Sequence, residues 1–166
     1  MQNDSYLSLG TNIGDKLDNL KCAINHLSSC ENINVIEKSY IYESEPLYNL
    51  NQDKFFNIVL KIRTSLLPLE LLSSCQEIEK NMGRQIETKK NSPRIIDIDI
   101  LLYNKQKINT KQLVIPHADM LNRKFVLLPL NDVNPNIILS NNKNIKDILT
   151  VVNDSSNIVK LNQLNL

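Results

Sequence analysis

The sequence lacks the features that would place it among nucleic-acid-binding, membrane-spanning or secreted proteins. Its 19 basic and 18 acidic residues give a net charge of +1, so no general electrostatic force draws the chain to nucleic acid or to a membrane surface. No apolar run approaches the roughly 20 residues that a spanning helix needs. Residues 1–5 lack the basic start and the apolar stretch of a signal peptide. We therefore expect a protein that binds neither nucleic acid nor membrane.

Cysteine and aromatic residues are also scarce. The three cysteines, Cys22, Cys30 and Cys75, are odd in number and match no metal-ligand spacing, so we expect reduced thiols and a cytoplasmic location. Aromatic residues make up 5% of the chain, and nothing favours the exposed aromatics and basic face of an RNA-binding module. A module that binds RNA or protein is therefore the weaker alternative to an enzyme.

Arginine is rare, and the positions where it occurs are informative. The chain has 15 lysines but only four arginines, Arg63, Arg84, Arg94 and Arg123. Lysine cannot copy the planar, two-pronged contact of a guanidinium with phosphate. Three of the four arginines lie in the motifs described below, which suggests a site that handles phosphate.

The apolar spacing predicts one α+β domain over residues 1–166, with the motifs in residues 5–133 and a C-terminal extension at 134–166. Strands are predicted at 5–10, 33–43, 55–62 and 95–102, and helices at 15–29 and 68–82. This β-α-β-β-α-β order is that of ferredoxin-like folds, in which helices cover the faces of an antiparallel sheet. A short hairpin near residues 105–117 and helices near 124–130 and 145–152 should follow. Residues 153–166 carry no functional signal.

Two acids, Asp97 and Asp99, interrupt an otherwise apolar strand. Side chains alternate along a strand, so both carboxylates point to the same face, about 7 Å apart at their Cα atoms. Two carboxylates that are partly buried on one face repel each other and lose hydration, so cations should lie near them. A pair of divalent metals would meet this need, with Arg94 suited to phosphate. The alternative is an edge strand with a hydrated polar face.

Four segments in order resemble one family, the 6-hydroxymethyl-7,8-dihydropterin pyrophosphokinases of folate biosynthesis. They are residues 9–15 (LGTNIGD), 76–79 (QEIE) with Gly83-Arg84, 93–99 (PRIIDID) and 114–130 (VIPHADMLNRKFVLLPL). The resemblance implies an ATP-dependent diphosphotransferase. It would move the β,γ-diphosphate of ATP to the hydroxymethyl oxygen of the pterin and release AMP. Two Mg²⁺ ions, held by Asp97 and Asp99, would accompany the ATP co-substrate.

The resemblance also implies the residues that bind each substrate. The catalytic residues would be Asp97, Asp99, Arg84 and Arg94. The ATP-binding residues would be Gln76, Glu79, Arg84, Arg94, His117 and Arg123. The pterin-binding residues would be Ser44, Leu47, Phe55, Asn57 and Phe125, with the two phenylalanines on either side of the ring and the Asn57 amide on its polar edge. The functional neighbour implied is dihydropteroate synthase, the next enzyme of the pathway.

Some of these residues have plain structural alternatives. Without the motifs, the two phenylalanines would be core residues, His117 would be a surface residue, and Gln76 and Glu79 would lie on a hydrated helix face. A metal-dependent phosphohydrolase or nuclease could use the same two acids, but the sequence offers no evident base to activate water. For the pyrophosphokinase, replacing Asp97 or Asp99 with alanine should nearly abolish turnover and leave the fold intact or more stable, because the repulsion is relieved.

The chain departs from the family pattern mainly in residues 85–92, a polar segment expected to close over ATP. Many members have a second arginine where Ile86 stands, an aromatic residue at Asn91, glycine at Ser92 and an aromatic residue at Ala118. Lys89 and Lys90 could supply charge without the same geometry. We expect weaker binding of ATP than in members with the full set, and Ile86→Arg should strengthen it.

Overall fold

The structure is a computed structural model that describes residues 2–47, 51–84, 92–139, 142–164 and 166. Its strands are β1 (Asn3–Thr11), β2 (Ile33–Lys38), β3 (Ile41–Ser44), β4 (Phe55–Thr64), β5 (Asp97–Tyr103), β6 (Ile108–Asn109), β7 (Val114–Ile115) and β8 (Ile158–Leu161). Its helices are α1 (Lys16–Ser29), α2 (Pro68–Asn81), α3 (Lys124–Val133) and α4 (Ile145–Val151), and a 3-10 turn spans Met120–Asn122.

The main sheet has the strand order β5-β1-β4-β3-β8, and β2 also pairs with β4. Every pairing is antiparallel. Helices α1 and α2 pack on the face that carries Leu9 and Ile98, and α3 and α4 pack on the face that carries Tyr6 and Val59. The predicted α+β, ferredoxin-like arrangement with helices on its faces is confirmed, and β6 and β7 form the extra hairpin.

The prediction of a single strand over residues 33–43 was wrong. The chain forms β2 and β3 instead, and both pair with β4. Ser39 lies between them, where its amide donates to the Val59 carbonyl and its hydroxyl accepts from the Val59 amide, both at 2.9 Å. A side-chain oxygen thus takes the place of a backbone carbonyl, and the strand is interrupted without leaving the Val59 amide unsatisfied.

Local sequence explains where the first two helices begin and end. The Asp15 carboxylate accepts from the Asp18 amide at 3.0 Å and caps α1. Pro68 occupies the first turn of α2, where its missing N–H costs nothing, and Gly83 follows the helix with a φ of 92° that glycine adopts without strain. In the part of the chain described, each helix is too short or too polar to cross a membrane.

The C-terminal residues, for which the sequence offered no signal, complete the sheet. Strand β8 pairs with β3, with Lys160 opposite Tyr42. The Lys160 ammonium lies 3.2 Å from an Asp132 carboxylate oxygen on α3 and 3.7 Å from the centre of the Tyr40 ring. These contacts hold the C-terminal strand against both β3 and α3, beside the part of the sheet that carries the motifs.

Candidate active site

The motif residues meet on one face of the sheet because of the strand register. Asp97 of β5 lies opposite Gly10 of β1, Gly10 lies opposite Asn57 of β4, and Asn57 lies opposite Tyr42 of β3. Residues directly opposite each other in antiparallel strands point to the same face. We call this row, with Asp99 two residues further along β5, the site face. It is the face on which α3 and α4 pack.

Asp97 lies between two arginines. One carboxylate oxygen accepts from Arg84 at 2.6 Å and the other accepts from Arg94 at 2.8 Å. All three side chains are between one fifth and one third exposed, so the charges are only partly screened by water. Two guanidinium groups of the protein itself therefore offset the negative charge of Asp97 and reduce the repulsion expected at this strand.

Glu79 anchors this group of charges to α2. It is buried, and its carboxylate accepts from Arg84 and from the Ile98 amide, the latter at 2.6 Å. Burial raises the pKa of Glu79 to about 7, although the Ile98 amide and Arg84 act in the opposite direction. Glu79 thus holds Arg84 and the Ile98 amide at the outer edge of β5. Its expected contact with the nucleotide stays a prediction.

Gln76 lies one turn before Glu79 on α2 and is exposed. With Leu69, Leu72, Ser73 and Gln112 it lines a shallow groove between α2 and the loop that joins β6 to β7. An amide beside apolar side chains is the kind of surface that a flat, polar ring can contact. The expected place of Gln76 in nucleotide binding is therefore compatible with this geometry.

Asp99 lies within electrostatic reach of three basic side chains. Burial, reinforced by the charge of Asp97, raises the pKa of Asp99 above its usual range. His117, Arg123 and Arg94 are close enough to act in the opposite direction. The His117 amide donates to the Leu101 carbonyl at 2.9 Å, which holds this residue alongside β5.

The two acids suit a cation that arrives with its own oxygen ligands. Within the described residues, Asp97 and Asp99 belong to no cluster of three or more histidine, cysteine or acidic side chains that could hold a metal. Magnesium in proteins commonly takes one or two carboxylates and completes its shell with water and phosphate oxygens. The donor set therefore fits magnesium brought by a nucleotide better than a metal enclosed by protein ligands alone.

Arg94 is held by its backbone and leaves a donor free. Its amide donates to the Asn12 side chain at 2.8 Å, and its carbonyl accepts from the Asn12 amide at 3.1 Å. Its guanidinium lies 5.6 Å from the centre of the Phe55 ring. Among the residues that the structure describes, the buried Arg94 Nε has no hydrogen-bond partner. A buried donor without a partner is costly, so this atom is well suited to an anionic ligand.

Asn12 is a residue whose role the motif did not reveal. Besides its two bonds to Arg94, its side-chain amide donates to the Gln52 side chain and to the Asp53 carbonyl, both at 3.1 Å. It thus joins the segment before β5 to the loop before β4. The signal was present in the sequence as the asparagine of the LGTNIGD segment, but the partners of Asn12 lie 40 or more residues away.

Asn57 is fixed in a buried position on the site face. Its side-chain nitrogen donates to the Tyr42 carbonyl at 3.2 Å and to the Ser44 hydroxyl at 2.9 Å, which uses both amide hydrogens. A methyl group at Gly10 would lie 3.4 Å from the Asn57 Oδ1 atom, so this oxygen lies directly over Gly10. The site face therefore presents a fixed acceptor at Asn57, and the Ser44 hydroxyl helps to orient it.

The two predicted aromatic residues are partly exposed on the site face, and Phe125 also packs against the core beneath α3. Phe55 lies opposite Ser44 on the neighbouring strand, and Phe125 is in the first turn of α3. Each ring has an arginine near it, Arg94 at 5.6 Å from Phe55 and Arg123 at 5.8 Å from Phe125. Cation–π contacts at this distance join the residues expected for the pterin to those expected for phosphate.

The remaining predicted residues lie at the border of this region or outside the described ranges. Leu47 is 41% exposed at the end of the segment after β3. The departures noted at Ile86 and Asn91, and the charges of Lys89 and Lys90, lie outside the described residues. Ser92, which is described, precedes the Arg94 segment.

Comparisons with known proteins agree with the motifs. Residues 6–135 match the family described as 7,8-dihydro-6-hydroxymethylpterin-pyrophosphokinase (HPPK). The 2-amino-4-hydroxy-6-hydroxymethyldihydropteridine pyrophosphokinase of Bacillus subtilis is 42% identical over 133 residues, which cover 80% of this chain and 79% of that protein.

Some relatives are much longer than this chain. The Folic acid synthesis protein fol1 of Schizosaccharomyces pombe is 43% identical over 134 residues, which are 81% of this chain but only 18% of that protein. A crystal structure of Plasmodium falciparum HPPK-DHPS with pteroate superposes with a TM-score of 0.73 at 20% identity, over 90% of this chain and 42% of that one. At that identity the structural likeness concerns the fold.

Proposed function

This chain belongs to the 7,8-dihydro-6-hydroxymethylpterin-pyrophosphokinase family, and we propose that it transfers the β,γ-diphosphate of ATP to 6-hydroxymethyl-7,8-dihydropterin in folate biosynthesis. One observation carries the proposal. Two acids lie on the same sheet face as a fixed amide acceptor, with three arginines and two partly exposed phenylalanines beside them. The acids and arginines suit a polyphosphate with magnesium, and the amide and phenylalanines suit a flat ring with polar edges.

In the proposed reaction, the pterin hydroxymethyl group releases its hydroxyl proton to solvent and its oxygen forms a bond to the β-phosphorus of ATP. The bond between that phosphorus and the oxygen bridging to the α-phosphate breaks, and AMP leaves with this oxygen. Such transfers depend mainly on alignment and on neutralisation of phosphate charge. Arg84, Arg94, Arg123 and His117 would bind the phosphate oxygens, and Gln76 would contact the nucleoside.

Asp97 and Asp99 would hold the magnesium, and two ions are proposed because two acids lie side by side on the site face. When bound, the ions would draw charge away from the phosphate oxygens. Each Asp97 oxygen accepts one arginine bond and retains a second lone pair for a metal. Glu79, buried between Arg84 and the Ile98 amide, would keep Arg84 aimed at the phosphates.

Asn57, Phe55 and Phe125 would orient the pterin. The Asn57 amide hydrogens are used by Tyr42 and Ser44, so its oxygen would accept from an N–H of the heterocycle. Phe55 and Phe125 would stack on the ring. Ser44 and Leu47 would border the pocket, with Ser44 acting through Asn57.

We further propose that the product is passed to dihydropteroate synthase. The structurally similar Plasmodium protein is named HPPK-DHPS, and it is more than twice as long as the part that this chain covers. The three free thiols of Cys22, Cys30 and Cys75 support a reducing cytoplasmic location for these steps.

The test is to incubate the protein with ATP, Mg²⁺ and 6-hydroxymethyl-7,8-dihydropterin and to separate the nucleotide products. Formation of AMP in equal amount to the pterin diphosphate is the expected result. Formation of ADP would instead identify an ordinary kinase, and free phosphate would identify a phosphohydrolase. Omission of the pterin is the control, and it should prevent AMP formation.

A further inference from the structure

Asp154 reaches from the C-terminal extension to the start of α3. Its Oδ2 atom accepts from the Lys124 amide at 2.7 Å, across 30 residues of sequence. Its Oδ1 atom accepts from the amide of Ser156 at 2.9 Å and from the Ser156 hydroxyl. The carboxylate is therefore oriented by its own loop and directed at the first amide of the helix.

This contact supplies a cap that the helix lacks locally. Arg123 occupies the N-cap position of α3, and in the described structure its side chain makes no capping bond. The first amides of a helix have no partner within the helix, and the helix dipole favours a negative group there. Asp154 meets both needs from a distant segment of the chain.

The capped residue stands between two proposed ligand contacts. Lys124 is flanked by Arg123, proposed for phosphate, and by Phe125, proposed for the pterin ring. We propose that Asp154 is a positioning residue that holds the start of α3 so that Arg123 and Phe125 face their substrates together. This inference rests on the proposed function for the identity of the two ligands, and on the capping contact for its geometry.

Further contacts favour this interpretation. The segment that carries Asp154 leads into β8, which pairs with β3, and Lys160 of β8 binds Asp132 of α3. The loop is thus tied to the same helix at both of its ends. Burial alone would raise the pKa of Asp154, but its bonds to Ser156 and to the Lys124 amide outweigh this and hold the pKa below its usual range. The carboxylate is therefore charged at neutral pH.

The experiment compares Asp154→Ala and Asp154→Asn with Asn144→Ala. Asn144 is a matched control because its side chain caps α4, accepting from the Lys146 amide at 2.9 Å, and α4 carries none of the proposed ligand contacts. The readouts are KM and kcat for both substrates, the melting temperature, and the Kd of the pterin and of α,β-methylene-ATP by calorimetry.

In Asp154→Ala, the KM and Kd of both ligands should rise about 3- to 10-fold. Both Asp154 oxygens accept from amides, and asparagine keeps only one acceptor oxygen, so Asp154→Asn should fall between wild type and Asp154→Ala. Asn144→Ala should lower the melting temperature to a similar extent as Asp154→Ala and leave both ligands unaffected. This split between stability and affinity separates a positioning role from a purely structural one.

The inference is overturned if Asp154→Ala lowers the melting temperature but keeps both affinities within about twofold of wild type. It is also overturned if Asn144→Ala weakens both ligands as much as Asp154→Ala does, or if wild type binds neither ligand. Failure of the proposed function gives a different result, namely that wild type binds the ligands but forms no AMP. The calorimetric comparison of the variants then still decides the role of Asp154.

Discussion

Replacing Asp97 or Asp99 with asparagine should change the stability of the folded protein in opposite directions. Asp97 accepts from Arg84 at 2.6 Å and from Arg94 at 2.8 Å, with all three side chains about one quarter exposed. A buried hydrogen bond to a charged group is worth roughly 1.5–3 kcal/mol, whereas an exposed ion pair is worth roughly 0–1 kcal/mol. For this intermediate exposure we take about 1 kcal/mol for each of the two contacts, so Asp97→Asn should lower the free energy of unfolding by about 2 kcal/mol.

Asp99 should respond differently because its ionised form is disfavoured in the folded protein. Burial and the charge of Asp97 raise its pKa above the ordinary value of 3.8. A raised pKa means that Asp99 contributes most to stability when protonated, at pH below its ordinary pKa, and that this contribution is lost as the pH rises through the folded-state pKa. At pH 7 Asp99→Asn should therefore raise the free energy of unfolding.

Urea denaturation at pH 7 and at pH 4, followed by circular dichroism, measures these changes. The gain from Asp99→Asn should shrink at pH 4, where wild-type Asp99 takes up its proton. Asp4→Asn is the control, since Asp4 also faces two cations, Arg63 at 3.3 Å and Lys61 at 3.9 Å, but on an exposed part of β1. It should change stability by less than about 0.5 kcal/mol.

Turnover must be measured alongside stability, because both site variants should lose nearly all AMP formation while Asp4→Asn keeps it. The reasoning fails if Asp97→Asn is as stable as wild type, or if Asp99→Asn loses as much stability as Asp97→Asn. Turnover within a few-fold of wild type in either site variant would remove the proposal that the two acids hold magnesium.

Three further predictions follow from the site geometry. Burial raises the pKa of Glu79 from 4.5 to about 7, so its contribution to stability should be full below pH 4.5 and be lost as the pH rises to about 7. Urea titrations should show that the free energy of unfolding of wild type, relative to that of Glu79→Gln, falls by up to about 1.4 kcal/mol per pH unit between about pH 4.5 and 7. A difference that does not change with pH would contradict this prediction. Arg94→Lys should raise the KM for ATP at least about 10-fold and keep the fold, because one ammonium group cannot both bind Asp97 and replace the Arg94 Nε donor. An unchanged KM would show that Arg94 does not contact phosphate. Asn57→Ala should weaken pterin binding at least about 10-fold in calorimetry and leave α,β-methylene-ATP within about twofold, and equal weakening of both ligands would mean that Asn57 shapes the whole site.

The order of strands and helices could be predicted from the sequence because it depends on local periodicity. Alternation along β5 placed Asp97 and Asp99 on one side, and helical spacing located α1 and α2. The interruption at Ser39 could not be foreseen, because it depends on the bonds between Ser39 and Val59, a residue on another strand. The same is true of β8, whose partner β3 lies more than 100 residues earlier.

The sequence by itself predicted which residues form the site: the four motifs contain the two acids, three of the arginines and Phe125, and the family resemblance supplied the other pterin contacts. Only the tertiary structure decided how they act on one another. The cross-strand register brings Gly10 opposite Asp97 and Asn57 opposite Gly10, and the packing of α2 beside β5 adds Arg84 to the nearby Arg94 at that acid. For this reason replacement of the two acids, which look equivalent in the sequence, is expected to change the free energy of unfolding in opposite directions. The physical cause is that alternation within a strand is a local property, whereas burial, charge pairing and the Asp154 cap depend on contacts between distant parts of the chain.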